Sequence, residues 1–363
     1  MNALPALAVV GIPGNRRVTG FQDALRRAGL PQARVVSWLD VLEGRAEFDP
    51  DEMVRLDSPG EDAAVDRILR ATGDPTRVEG SALWYRRFLA AARGLPARLL
   101  DDPEDLAVLF DKRLCHGVLS KADVPVPFSP TSGPAHPALG GWDDVRALMA
   151  DAGLTRVFVK LAHGSSASGV LAIATASGGR VRATTSVRRD PEGGLFNSLR
   201  VATYTTEAEV AAIVDALAPD GLHLERWLPK AALHGRTADL RVVVVDGRAT
   251  HAVVRTSRWP MTNLHLGGAR GDLAAARAVI GEHWAQALAT CEHAAACFPG
   301  FSRVGVDLLP APGWRRFAVG EVNAFGDLLP GLRGFAGGGA ESGDTYDAQV
   351  AAIRRRAGSV AHA

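Results

Sequence analysis

An unbroken apolar run, residues 6 to 12, gives way to a turn at Gly14 and then to an amphipathic stretch from Thr19 to Ala28 that stops at Gly29. A short run apolar on both faces, a glycine and then a 3.6-residue period predict strand, turn and helix, the opening of an α/β domain. Arg34 to Leu39 predicts a second strand, and Glu61 to Ala71 and Ala82 to Ala92 predict helices. Asp101-Asp102-Pro103 combines a capping carboxylate with a first-turn proline, so a new helix starts there and the first domain covers residues 1–104.

From Pro103 the pattern predicts helix to Lys121. A connection rich in breakers follows (Pro125, Pro127, Pro130, Pro134, Pro137), read as a rigid surface segment, and then a helix from Trp142 to Ala152. Strands are expected at 156–160 and 169–174, a helix at Glu207 to Leu217, and a strand from Leu222 to Leu228 that stops at Pro229. Asp246-Gly247 between two β-branched runs is a two-residue hairpin signal. An alanine-rich helix at 272–296 precedes strands at 303–309 and 316–322, which close a second domain at 105–335. Gly337-Gly338-Gly339 opens a tail, 336–363, expected to be mobile and helical at most near 344–356.

The length, 363 residues, suits two or three domains, and 47% hydrophobic against 22% charged residues is ordinary globular composition. Basic and acidic residues nearly cancel, 41 against 40, so nothing general draws the chain to nucleic acid or to an anionic membrane, and neither is expected as a partner. Cys115, Cys291 and Cys297 have neither CxxC nor zinc spacing and read as small buried hydrophobes, which fits a reducing cytoplasm. The first apolar run has no preceding cation and is followed by Arg16 and Arg17, the reverse of a signal peptide, and no apolar stretch approaches a membrane span. Only four of the 41 basic residues are lysine (Lys112, Lys121, Lys160, Lys230), so each marks a place where arginine does not serve or where chance left it.

Three patterns carry chemistry. In residues 157–170 a strand delivers Lys160 into a loop containing Gly164, Ser165, Ser166, Ser168 and Gly169, and a strand leaves it. Backbone N–H groups and hydroxyls there can surround phosphate oxygens while the ammonium supplies charge. The segment is not a Walker loop, and Gly11-x-x-Gly14 is not a dinucleotide fingerprint. Taken alone, residues 157–170 equally describe a flexible hairpin with a surface lysine, and His163 reads as solvated.

Asp307, Glu321 and Asn323 form the second pattern. Glu321 and Asn323 share a strand face, and a hairpin symmetric about Trp314 sets Asp307 opposite Glu321, where two carboxylates repel unless a divalent cation lies between them. Two carboxylates and an amide oxygen suit magnesium; the alternative is a solvated edge hairpin whose carboxylates never meet. The third pattern is a series of weaker signals: Glu225-Arg226-Trp227-Leu228 before a proline, Asp239 and Arg241 on one strand face, Arg255 on the partner strand, and a glycine loop from Asn263 to Gly271.

Their order resembles the ATP-grasp superfamily, in particular its glutathione synthetase and ribosomal-protein glutamate ligase branch, over about residues 105–335. The resemblance implies two α+β subdomains clamping ATP, with a lid at about 155–225, behind an N-terminal α/β domain. Asp111-Lys112 and Lys160 match the family's two ATP lysines, Gly164 to Gly169 its phosphate loop, and Glu225 to Leu228 its adenine hinge. Asp239 matches the ribose contact, Asn263 its Asn-Leu-x-x-Gly-Gly loop, and Asp307, Glu321 and Asn323 its metal triad. Departures are Leu161 after the lid lysine, where proline is common, and Ala324-Phe325-Gly326-Asp327 after the triad.

The activity implied is ADP-forming ligation of a carboxylate to an amine through an acyl phosphate. ATP and two Mg2+ ions would be the cofactors, with Mn2+ a substitute, and Arg255 and Lys160 would serve catalysis. The substrates would be small molecules or peptides, and a homo-oligomer is compatible. A kinase acting on a hydroxyl with the same ATP machinery, and a non-catalytic ATP-binding module, are the alternatives.

Overall fold

The structure, a computed structural model, describes residues 5–72, 74, 76–135, 137–164, 167–325, 329 and 331–360. Ser165 and Ser166 of the expected phosphate loop, and Gly326 and Asp327 after the triad, lie outside the described residues.

The first domain alternates strand and helix: β1 (Leu7–Gly11), α1 (Arg16–Arg27), β2 (Arg34–Ser37), α2 (Trp38–Leu42), β3 (Met53–Leu56), α3 (Ala63–Arg70), α4 (Ser81–Arg93) and β4 (Arg98–Leu99). The strands form a parallel sheet in the order β2-β1-β3-β4. The chain reverses direction across the sheet between β1 and β3, and in open α/β sheets ligands bind outside the carboxyl ends of the strands at such a point.

The helix expected from Pro103 to Lys121 is two, α5 (Pro103–Phe110) and α6 (Lys112–Lys121). Asp111 breaks it by adopting extended backbone and capping α6, its carboxylate accepting from the N–H groups of Arg113 and Leu114. Then α7 (Trp142–Asp151) leads into a sheet of β5 (Arg156–Leu161), β6 (Leu171–Ala176), β7 (Arg180–Arg189), β8 (Leu195–Tyr204) and, after α8 (Glu207–Leu217), β9 (Leu222–Arg226). Its order is β8-β7-β6-β5-β9, wholly antiparallel, with α7 and α8 packed on one face over a separate apolar core. The proline-rich connection is not simply superficial: Ser129 and Thr131 are buried and bond to the Leu224 backbone of β9.

A third sheet holds β10 (Ala232–Leu233), β11 (Arg236–Val245), β12 (Arg248–Ser257), β13 (Ala269–Arg270), β14 (Arg303–Pro310) and β15 (Phe317–Asn323). The order β13-β12-β11-β14-β15 is antiparallel, and α9 (Leu273–Ile280) and α10 (Trp284–Ala296) replace the single alanine-rich helix expected. Its apolar face shares one core with the first domain, through Phe88, Phe110, Phe301 and Phe325 among others.

The C-terminal segment is no free tail. The helix α11 (Thr345–Val360) packs Tyr346, Val350 and Ile353 against Val18, Phe21 and Leu25. A helix-interior glycine costs roughly 1 kcal/mol against alanine; Gly20 of α1 is there because a Cβ would lie 2.6 Å from the Tyr346 ring. No helix among the described residues is long and apolar enough to cross a membrane.

Candidate active site

The three sheets meet at a cleft of about 520 Å³. Its walls include Lys112, Lys160, Gly164, Ser168, Glu225, Leu228, Asp239, Arg255, Asn263, Asp307, Glu321 and Asn323, so residues more than 200 positions apart in the chain come to one place. Two predicted residues are not on the wall. Trp227 meets Phe158 at a tilt, with ring centres 5.5 Å apart, and lies under the Arg156 guanidinium at 4.0 Å, while its neighbours Glu225, Arg226 and Leu228 line the cleft. Gly169 shapes the loop from behind: its φ is +66°, and a Cβ would sit 2.6 Å from Leu161.

Lys112 is placed by the helix break at Asp111, and its own N–H donates to the Ala162 carbonyl at 2.9 Å. Its ammonium donates to the Gly164 carbonyl at 2.5 Å and pairs with Glu321 at 2.9 Å, tying the loop after β5 to β15. Lys160 projects from β5 onto Glu225 of the neighbouring strand at 2.5 Å. Burial works against the charged lysine, but Glu225 and Glu321 outweigh it and its pKa is raised. For Glu225 burial acts upward, yet Lys160 and His223 bring it down to about 2.

Asp307 does stand opposite Glu321 in the register, with a bulge beginning immediately after it. The repulsion expected there is met by side chains: Asp307 accepts from Arg241 and lies 3.0 Å from Arg255, while Glu321 turns to Lys112. Both arginines belong to the faces that strands β11 and β12 present to the cleft, Arg241 lying directly opposite Asp307. Asp239 is as crowded. One oxygen accepts from Arg255 at 2.8 Å, and the other from Thr262 and from Lys230 at 3.2 Å. Burial opposes ionisation of Asp239 and Asp307, but the surrounding cations prevail and both carboxyls titrate below their usual range. Asn323 donates to the Gly305 carbonyl at 3.1 Å, which leaves its amide oxygen for a ligand.

The donor chemistry fits magnesium: hard oxygens from Asp307, Glu321 and Asn323 line one wall, with phosphate oxygens and water left to complete a coordination shell. Among the described residues no group of three His, Cys, Asp or Glu side chains could hold a metal ion by itself.

Sequence reasoning missed Lys230 as a member of the site, singled out Arg241 only as a weak signal beside Asp239 with no role, and read His163 as solvated. Lysine scarcity was the available signal for Lys230, since three of the chain's four lysines line this cleft. His163 is instead buried, stacked on Tyr85 with ring centres 3.9 Å apart, and its Nδ1 lies 3.2 Å from the Phe110 carbonyl.

Burial lowers the pKa of both His163 and His223 to about 4, so both rings are neutral at pH 7. An unfolded histidine takes up a proton near pH 6.5, whereas these stay neutral until about pH 4, so protons favour the unfolded chain in that interval. Thermal midpoints are therefore expected to fall from pH 6.5 towards pH 4. The fall should continue as Glu225 and the other depressed carboxylates protonate, and a replacement of His223 by asparagine should flatten the first part. A midpoint flat between pH 6.5 and 4 in the wild type would contradict the burial of both rings.

No protein-family model matches the chain, and no curated protein matches it. Solved structures do. D-cycloserine synthetase DcsG aligns with a TM-score of 0.58 at 18% identity, over 96% of this chain and 99% of that one. The ATP-grasp ligase PsnB complexed with minimal precursor aligns with a TM-score of 0.53 at 18% identity, over 97% and 99%. The ADP complex of PurK, N5-carboxyaminoimidazole ribonucleotide synthetase, aligns with a TM-score of 0.59 at 12% identity, over 98% of this chain and 78% of that one. With an open parallel N-terminal sheet ahead of two antiparallel sheets that close on one cleft, the chain has the ATP-grasp fold.

Proposed function

We propose that the chain is an ATP- and magnesium-dependent ligase that joins a carboxylate to an amine and releases ADP and phosphate. The observation that supports this most is the convergence of Lys112, Lys160, the 225–228 segment, Asp239, Arg255 and the Asp307, Glu321, Asn323 wall on one cleft. PsnB has also been solved with Mg and ADP at a TM-score of 0.53, which favours the same nucleotide here.

In this reading the backbone of Glu225 to Leu228 receives the adenine, and Asp239 and Asn263 border the ribose. A ribose hydroxyl would bond Asp239 through Oδ1, which accepts from Arg255, since Oδ2 already accepts from Thr262 and Lys230. Lys112, Lys160 and the described part of the loop, Gly164 and Ser168, surround the phosphates. Magnesium bound by Asp307, Glu321 and Asn323 would neutralise charge on the β- and γ-oxygens.

A carboxylate oxygen of the substrate attacks the γ-phosphorus, the bond to the leaving ADP oxygen breaks, and an acyl phosphate forms. The amine then attacks the acyl carbon. The carbon–oxygen bond breaks with its electron pair going to phosphate, and the nitrogen gives up a proton to the departing phosphate or to water. Arg255 and Arg241 contribute fixed positive charge beside the phosphoryl oxygens, and the protein supplies no covalent nucleophile. Cys115 lines up with that absence, since burial pushes its thiol up to about 12.

The test is phosphate release from Mg-ATP in the presence of pools of amino acids, short peptides and hydroxylated metabolites, with the nucleotide product identified. ADP and phosphate are expected. AMP and pyrophosphate would overturn the reading, because the lysines and the acidic wall are assigned to the terminal phosphoryl group.

A further inference from the structure

The cleft continues past the nucleotide wall to the first domain, where it is lined by Arg16, Arg17, Ser58, Glu61, Trp84 and Phe110. Arg16 and Arg17 follow β1, and Ser58 and Glu61 follow β3, the two strands between which the parallel sheet changes direction, so these four stand where an open α/β sheet receives a ligand, with Trp84 of α4 and Phe110 of α5 beside them. We propose that this end holds the amine substrate, and that the substrate is a free α-amino acid with a large apolar side chain. The proposal rests on the ligase reading above and names the substrate class of that same cleft.

Charge at this end is unbalanced. Asp57 is committed to Arg55 at 2.8 Å with both groups buried, and Asp66 is committed to Arg70 at 3.2 Å. Among the described residues that leaves Arg16 and Arg17 against the one carboxylate of Glu61, at 3.5 and 3.9 Å. Glu61 also accepts from Asn15 at 2.8 Å and is held in left-handed backbone, φ 76°, an arrangement an ordinary residue adopts only when its surroundings require it. One positive charge is therefore in excess, and Arg17 carries it in a largely desolvated place, with 17% of its side chain exposed. A single excess charge matches a carboxylate better than a phosphate dianion.

Arg17 also donates to the backbone carbonyl of Phe325, two residues beyond Asn323. The anion site is thereby fixed relative to the acidic wall where phosphoryl transfer is assigned. Between them lies an aromatic surface: Trp84 stacks with Phe110 at 6.2 Å and 16°, and Phe110 meets Phe325 edge-on at 5.6 Å. A molecule with its carboxylate on Arg17, its side chain on Trp84 and Phe110, and its amine directed to the acidic wall is an α-amino acid.

The experiment is binding calorimetry on the full chain with Mg2+ and a non-hydrolysable ATP analogue. It is followed by titration of leucine, phenylalanine and tryptophan as both enantiomers, then phenylalaninamide, alanine and phenyl phosphate. At least one large apolar amino acid is expected to bind, with its amide and alanine about tenfold or more weaker. Arg17→Gln and the half-exposed Arg16→Gln should each weaken that binding by about tenfold, and Trp84→Ala should erase the preference over alanine, with nucleotide affinity retained in all three. Arg16→Gln keeps the test decisive should Arg17→Gln fail to fold.

Equal binding of acid and amide, indifference to both arginine variants, or no binding by any large apolar amino acid would overturn the proposal. Preferential binding of phenyl phosphate would overturn it in favour of a phosphorylated substrate. A failure of the nucleotide analogue itself to bind would instead count against the ligase reading, so the two failures are separate.

Discussion

Replacing Lys160 with alanine is expected to lower turnover by about 10²- to 10³-fold, because it removes a charge-assisted contact to phosphate in a site shielded from water. The same change should destabilise the fold. Glu225 is only 5% exposed and Lys160 is its ammonium partner, so the variant leaves a buried carboxylate uncompensated. Breaking a buried pair from one side costs about 3–5 kcal/mol.

These two effects separate in a second variant. Lys160→Ala combined with Glu225→Gln removes the stranded charge and should recover most of the lost thermal midpoint while recovering none of the turnover. Lys160→Arg should also fail to restore turnover, since a chain that uses arginine for 37 of its 41 basic residues keeps lysine here. Loss of stability without loss of turnover in Lys160→Ala would show that the lysine serves only Glu225.

Two carboxylates opposite each other in one hairpin should respond very differently. Asp307→Asn strands the guanidinium groups of Arg241 and Arg255, both nine-tenths buried, and should cost about 3–5 kcal/mol as well as activity. Glu321→Gln removes the partner of Lys112 from a position that is 31% exposed, where water screens the pair. It should change stability by about 1 kcal/mol or less while abolishing magnesium-dependent turnover. Thermal melts beside turnover measurements read both quantities. A Glu321→Gln midpoint lowered as far as that of Asp307→Asn would mean that Glu321 is a structural residue.

The contrast shows where sequence pattern stops. Spacing around Trp314 placed Asp307 opposite Glu321 correctly, because hairpin register is a counting problem. It could not show that Arg241 and Arg255 converge on Asp307, since those contacts depend on how β11 and β12 lie beside β14. Lys112 and Lys160 were legible through local motifs and through lysine scarcity, whereas Lys230 had scarcity alone and no motif to interpret it.

Strands β7 and β8 went unread for a different reason. Arg180, Arg182, Arg188, Arg189 and Arg200 interrupt their apolar pattern, and only tertiary packing against α8 makes one face a core. The C-terminal helix was legible only in outline, because its partner face on α1 lies more than three hundred residues away in sequence. Its clue was Gly20, a helix-interior glycine explained by the Tyr346 ring it admits.

An acyl phosphate made in this cleft would be intercepted by hydroxylamine in place of the unknown amine. With Mg-ATP and pooled carboxylates, including amino acids and short peptides, the wild-type chain should form a hydroxamate together with one equivalent of ADP, and Lys160→Ala should form hundreds-fold less, on the order of the turnover loss argued above. A stable phosphate ester that accumulates without hydroxamate would contradict acyl-phosphate chemistry and assign the same lysines and acidic wall to a kinase.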